Sequence, residues 1–89
     1  MYHYSTTFTY NATSAKMWIM NMKEISSKLG LNLKRIRTKK KMSQEDIARV
    51  LEVHRAYVSG IETGKRNPTL ATIEKLANAL GVSASDLLK

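Results

Sequence analysis

SQEDIARVLEVHRAYVSGIE, residues 43–62, is the stretch that decides how this chain folds. Ser43 is a helix N-cap residue type, and Asp46 stands three places on, where the two side chains can cap a helix end reciprocally. Ile47, Ala48 and Leu51 follow at helical spacing and are expected to face inward. A tight turn around Glu52 leads to a second short helix, predicted from Arg55 to about Thr63, with Val58 and Ile61 inward and His54 capping its start. Gly64 suits the left-handed position past a helix end, and Pro68 stops any continuation.

The flanks extend the helical pattern. Leu29, Leu33 and Ile36 predict a helix from about Lys23 to about Lys40, with Lys39, Lys40 and Lys41 where cations complement the helix dipole. Downstream, Thr69 caps a further helix expected to bury Leu70, Ile73, Leu76, Ala77 and Leu80, and Gly81 ends it. Ser83 and Asp86 repeat the capping-box spacing before a last short helix, in which one of Leu87 and Leu88 should pack inward and the other outward. The expected fold is all-α, with five helices.

Composition narrows the function. The chain has 89 residues, a net charge of +8 and no cysteine. It makes one small domain with a modest core, which a second copy would help to stabilise. The basic excess favours polyanions, above all nucleic acid. Lack of cysteine excludes disulfides, zinc-thiolate sites and thiol catalysis. No apolar run approaches the roughly 18 residues of a membrane span, and the N-terminus does not read as a secretory signal, so a cytoplasmic location is expected. The glycosylation pattern at Asn11-Ala12-Thr13 is then a chance match. His3 and His54 are 51 positions apart, and His3 has no partner at metal-ligand spacing. No nucleophile–base set or phosphate-binding glycine loop is present, so neither an enzyme nor a cofactor or small-molecule site is expected.

Two short helices joined by a tight turn and followed by a basic loop have the layout of a helix-turn-helix, whose second helix enters a DNA major groove. Arg55, Ala56, Tyr57, Ser59 and Gly60 are the outward positions of that helix. An arginine can give two parallel hydrogen bonds to guanine, an alanine can touch a thymine methyl, a serine can donate or accept, and Gly60 would permit close approach to the duplex. Ser43 and Gln44 open the preceding helix, where a phosphate can sit. Lys65, Arg66 and Asn67 form a second phosphate clamp, and Lys39 and Lys40 a third. His54, besides capping the helix, is a lesser candidate for DNA contact.

Residues 1–22 differ in kind. Residues 1–15 carry no charged residue, and Tyr2, Tyr4, Phe8, Tyr10 and Trp18 are five of the six aromatics. The even spacing of the first four would place them on one face of a strand, as an arm for a partner or DNA. The plainer expectation is a flexible extension. Met17, Met20 and Met22 also allow a start further in.

From about residue 29 onward, LKRIR (33–37), SQEDIA (43–48), YVSGIETGKRNPTL (57–70) and LANALGVS (76–83) resemble the Cro and phage-repressor, XRE-like, family of five-helix, lambda-repressor-like DNA-binding domains. Within it, RAYVSGIE and the following RNP look most similar to controller proteins of bacterial restriction–modification systems, which are small dimeric regulators. The resemblance implies that Gln44 holds phosphate, that Arg55, Ala56 and Ser59 face bases, that Tyr57 contacts DNA and that Arg66 grips the backbone. It also implies a buried structural bridge between Arg37 and Glu62. Three positions depart from the family pattern: Glu52 stands where many members carry Gly, and His54 and Ala56 where controllers often carry Asp and Thr. The leading expectation is a homodimer on a palindromic operator, joined through its last two helices. The alternative is an antitoxin-type regulator that grips a protein partner through residues 1–22. A basic amphipathic membrane binder fits five capped helices less well.

Overall fold

The structure, a computed structural model, describes the backbone of residues 12–89 and the side chains of residues 22–89. The strand-like aromatic face expected over Tyr2, Tyr4, Phe8 and Tyr10, and His3 with it, lie outside the described residues. Five helices follow one another: α1 (Ala12–Lys39), α2 (Gln44–Leu51), α3 (Arg55–Glu62), α4 (Leu70–Leu80) and α5 (Ala84–Leu88). No strand occurs among the described residues, and no helix there is long and apolar enough to cross a membrane. The helix expected from Lys23 starts at Ala12, so the expected break after residue 22 falls inside α1. Nothing in the chain stops it earlier, since no Pro or Gly lies between Ala12 and Lys28.

The termini follow local chemistry. The Ser43 hydroxyl accepts from Asp46 N at 3.0 Å while the Asp46 carboxylate accepts from Ser43 N at 2.8 Å. Ser83 and Asp86 repeat the arrangement at 3.2 and 3.1 Å. The backbone N–H donated to each carboxylate is the main reason that both aspartates are held below their ordinary value. Thr69 caps α4 through Thr72 N. Gly64 and Gly81 both take positive φ, 77° and 69°. Lys41 and Glu52 do so without being glycine, each at 58°, which costs roughly 1–2 kcal/mol per residue. His54 occupies the N-cap of α3, but its side chain makes no capping bond. That expectation is corrected; α3 itself stops at Glu62 with Thr63 as C-cap, as expected to within a residue.

Leu29, Leu33 and Ile36 of α1 meet Ile47 and Ala48 of α2, Val58 and Ile61 of α3, Ile73, Leu76, Ala77 and Leu80 of α4, and Leu87 of α5 in one buried cluster. Each large aliphatic side chain there contributes about 1.5–3 kcal/mol by leaving water. Leu51 is only partly buried against this core. Leu70 is a clear correction: it is 81% exposed. It is the first residue of α4, and helical side chains lean toward the N-terminus, so it projects past the end of the core. Leu88 is 39% exposed while Leu87 is buried, the split expected of that pair. Asn32 Nδ2 donates to Leu87 O at 2.8 Å and ties α5 to α1.

Candidate nucleic-acid interface

Helix α3 packs on α1 and α2 through Val58 and Ile61. The eight-residue helix therefore has one buried edge, and Arg55 and Ala56 lie exposed on the other, with Tyr57, Ser59 and Gly60 half-buried between. Between Arg55 and Asn67 the only acid is Glu62, and its side chain is 3% exposed. What this segment shows to solvent is therefore cationic: Arg55, Lys65 and Arg66.

Glu62 is held from two directions. Arg37 Nε and Nη2 donate to its two carboxylate oxygens at 2.6 and 3.1 Å, joining α1 to α3. Arg37 Nη1 also donates to Met42 O at 2.8 Å, which pins the α1–α2 linker. The hydrogen bond to Glu62 holds the Arg37 guanidinium above its ordinary value, against the pull of desolvation. Gln44 Nε2 donates to the same carboxylate at 2.9 Å, and Gln44 Oε1 accepts from Arg55 Nη1 at 2.9 Å. A continuous chain of polar contacts thus runs from the buried pair to the exposed tip of α3. The sequence places Gln44 at a helix start but carries no sign that its side chain bridges Glu62 and Arg55.

The other expected positions divide into those brought to α3 and those not. The capping box uses the Ser43 N–H and leaves the N–H groups of Gln44 and Glu45 for an outside acceptor at the head of α2. Lys65 N and Arg66 N both donate to Gly60 O, at 2.8 and 3.1 Å, folding the basic loop back onto α3. The Arg66 guanidinium lies over the Tyr57 ring, 5.6 Å from its centre. Ser26 donates its hydroxyl to Asn67 Oδ1, tying that loop to α1. His54 is exposed at the head of α3. Lys39 and Lys40, expected as a third clamp, line a separate cleft of about 500 Å3 with Arg35, Ile36, Val82, Asp86 and Lys89.

Two glycines matter by closeness. A Cβ on Gly30 would stand 2.5 Å from Ile61 O and 2.6 Å from Glu62 O, so α1 crosses the end of α3 with no side chain between them. A Cβ on Gly60 would stand 2.6 Å from Arg66 Cγ. Gly60 therefore makes room within the chain for the side chain stacked on Tyr57, which is a different reason from the close duplex approach expected of it. Gly60→Ala should displace Arg66 and weaken DNA binding. In an Arg66→Ala background the same change should weaken binding no further and should stabilise the fold by about 0.4–1 kcal/mol, the usual gain of Gly→Ala in a helix. Binding isotherms and thermal melts of the three variants decide this. An equal loss of affinity with and without Arg66 would assign Gly60 to the duplex instead.

Known proteins bear on this geometry. The helix-turn-helix family HTH_3 matches residues 33–87. Control protein C.BamHI of Bacillus amyloliquefaciens is 48% identical over 60 residues, which span 66% of this chain and 74% of that protein. Control protein C.MunI of a Mycoplasma species is 40% identical over 67 residues, spanning 74% of this chain and 90% of that one. Among solved structures, the restriction–modification controller protein C.AhdI from Aeromonas hydrophila superposes with a TM-score of 0.67 at 42% identity, covering 70% of this chain and 94% of its own. The family match takes in α2, α3 and the loop after them whole. The chain belongs to the HTH_3 helix-turn-helix family, whose members are DNA-binding transcriptional regulators.

Proposed function

We propose that this protein is a transcriptional regulator that binds a palindromic operator as a homodimer and controls a restriction–modification operon. The observation that carries this reading is the open side of α3: exposed Arg55 and Ala56 with half-buried Ser59 one turn on, flanked by a loop whose exposed charges are all positive. Arg55, Ala56 and Ser59 face base edges, and Tyr57 and His54 lie against the adjoining backbone. Ser43 and Gln44 at the head of α2, and Lys65, Arg66 and Asn67 after α3, take phosphates. Phosphate contacts set the register and base contacts set the sequence preference. One chain presents a single α3, so a two-fold dimer supplies the second half-site. The exposed Leu88 beside the buried Leu87 supports α5 as part of the dimer surface. The similarity to three restriction–modification control proteins supports the operon assignment.

Selection of bound duplexes from a random pool, with the mass of the complex measured alongside, tests the reading. The expected product is an inverted repeat with half-site centres about 34–36 Å apart, or a multiple of that, bound by two chains. A pool with no enriched sequence, or one chain per selected duplex, would overturn it.

A further inference from the structure

The upstream half of α1 lies outside the family match, which begins at residue 33. It nevertheless runs beside the loop that follows α3. Gly30 seats α1 on the carbonyls of Ile61 and Glu62. One turn earlier, Ser27 faces Gly64: a Cβ on that glycine would lie 3.5 Å from Ser27 Oγ. Ser26, a buried residue of α1, donates to Asn67 across 41 positions of sequence. Met22, Lys23, Ser26, Gly64 and Asn67 then line a groove of about 320 Å3 between helix and loop.

We propose that Lys23 is a DNA-phosphate contact and that the upstream half of α1 forms the second wall of the backbone grip begun by Lys65, Arg66 and Asn67. This rests on the proposed placement of the duplex along α3 and its loop. Lys23 is exposed on the groove and makes no ion pair among the described residues. The nearest acid in sequence, Glu24, lies about 100° further round the helix surface and does not line the groove. Ser27, four places after Lys23, is uncharged. The only charge lining the groove is therefore positive, and the Ser26–Asn67 bond fixes the groove's far side. Such a slot fits a phosphodiester, an anion with several acceptor oxygens, running from the loop toward α1. The operator footprint of this chain would then extend past the contacts supplied by residues 33–87.

The test uses the full chain and its Lys23→Ala variant, with binding measured across a salt series on the selected operator and on an unrelated duplex of equal length. Loss of one phosphate contact per chain, two per dimer, should make the slope of log K against log salt shallower by about 1.8. The same relation makes binding about sixtyfold weaker near 0.1 M salt, with the difference closing toward 1 M. Both duplexes should lose equally, Lys23→Arg should keep the slope, and Lys75→Ala, beside Val50 and Glu52 in the α2–α4 groove, should change nothing. A Lys23→Ala slope equal to that of the unaltered chain would overturn the proposal. Failure of the unaltered chain to bind any duplex would instead overturn the reading beneath it.

Discussion

Glu62→Ala is expected to unfold the domain before it alters any preference among DNA sequences. The carboxylate is buried and accepts three hydrogen bonds, two from Arg37 and one from Gln44. Removing it strands a guanidinium whose side chain is only 13% exposed. Breaking a buried pair from one side costs about 3–5 kcal/mol, against total stabilities of about 5–15 kcal/mol that small domains approach from below. At roughly 4–8 °C per kcal/mol for a domain of this size, the melting temperature should fall by at least about 12 °C. Replacing both partners, Arg37→Met with Glu62→Leu, should restore most of the loss, because no charge is then left buried. The restored protein should still bind DNA less selectively, since Gln44 has lost the acceptor that orients it toward Arg55. Thermal melts of the single and double variants check both parts. A Glu62→Ala protein that melts like the unaltered one would show that the pair does not hold α1 and α3 together.

Arg55→Ala should leave the fold intact and weaken the selected operator by about 1–3 kcal/mol per half-site, roughly 5- to 150-fold for each. Arg55 is exposed, so little packing is lost. One of its N–H groups is committed to Gln44 Oε1, and Gln44 is itself fixed by Glu62. The guanidinium has five donors, so a planar pair remains for guanine O6 and N7 while the side chain is already held in place. The penalty should fall on one position of each half-site, with unrelated duplexes losing much less. Arg55→Lys should recover little, because an ammonium cannot give the two parallel bonds. Competition binding against operators altered one base pair at a time measures this. Equal loss on specific and unrelated DNA would move Arg55 from base recognition to backbone attraction.

The features legible in the sequence are those whose cause is local. Ser43 with Asp46, and Ser83 with Asp86, announce their helix starts because donor and acceptor lie three residues apart. Leu29, Leu33, Ile36, Ile47, Val58, Ile61, Leu76 and Leu80 announce the core by period alone. Leu70 fails by the same rule: it continues the period of α4, but it sits at the helix start, where no neighbouring element reaches over it. The early start of α1 was missed although Ala15, Trp18, Ile19 and Met22 stand at helical spacing, because the uncharged, aromatic composition of the first residues reads as a flexible extension. His54 resembles a cap by position, yet its side chain takes no part. At the interface, the exposure of Arg55 and Ala56 followed from the inward spacing of Val58 and Ile61. The Arg37–Glu62 bridge came from family resemblance, not from spacing. Gln44 on Glu62, Ser26 on Asn67 and Arg66 over Gly60 join distant positions or depend on how a loop folds back. No periodicity or cap pattern encodes such pairs.

The bare crossing at Gly30 has a mechanical consequence. With backbone against backbone there is no compliant layer between the long helix and the reading helix, so the two must tilt as one solid piece. The part of α1 before Gly30 is a stem of about 27 Å at 1.5 Å per residue. On the proposed reading, whatever grasps the far end of that stem would set the pitch at which Arg55 and its neighbours enter a groove.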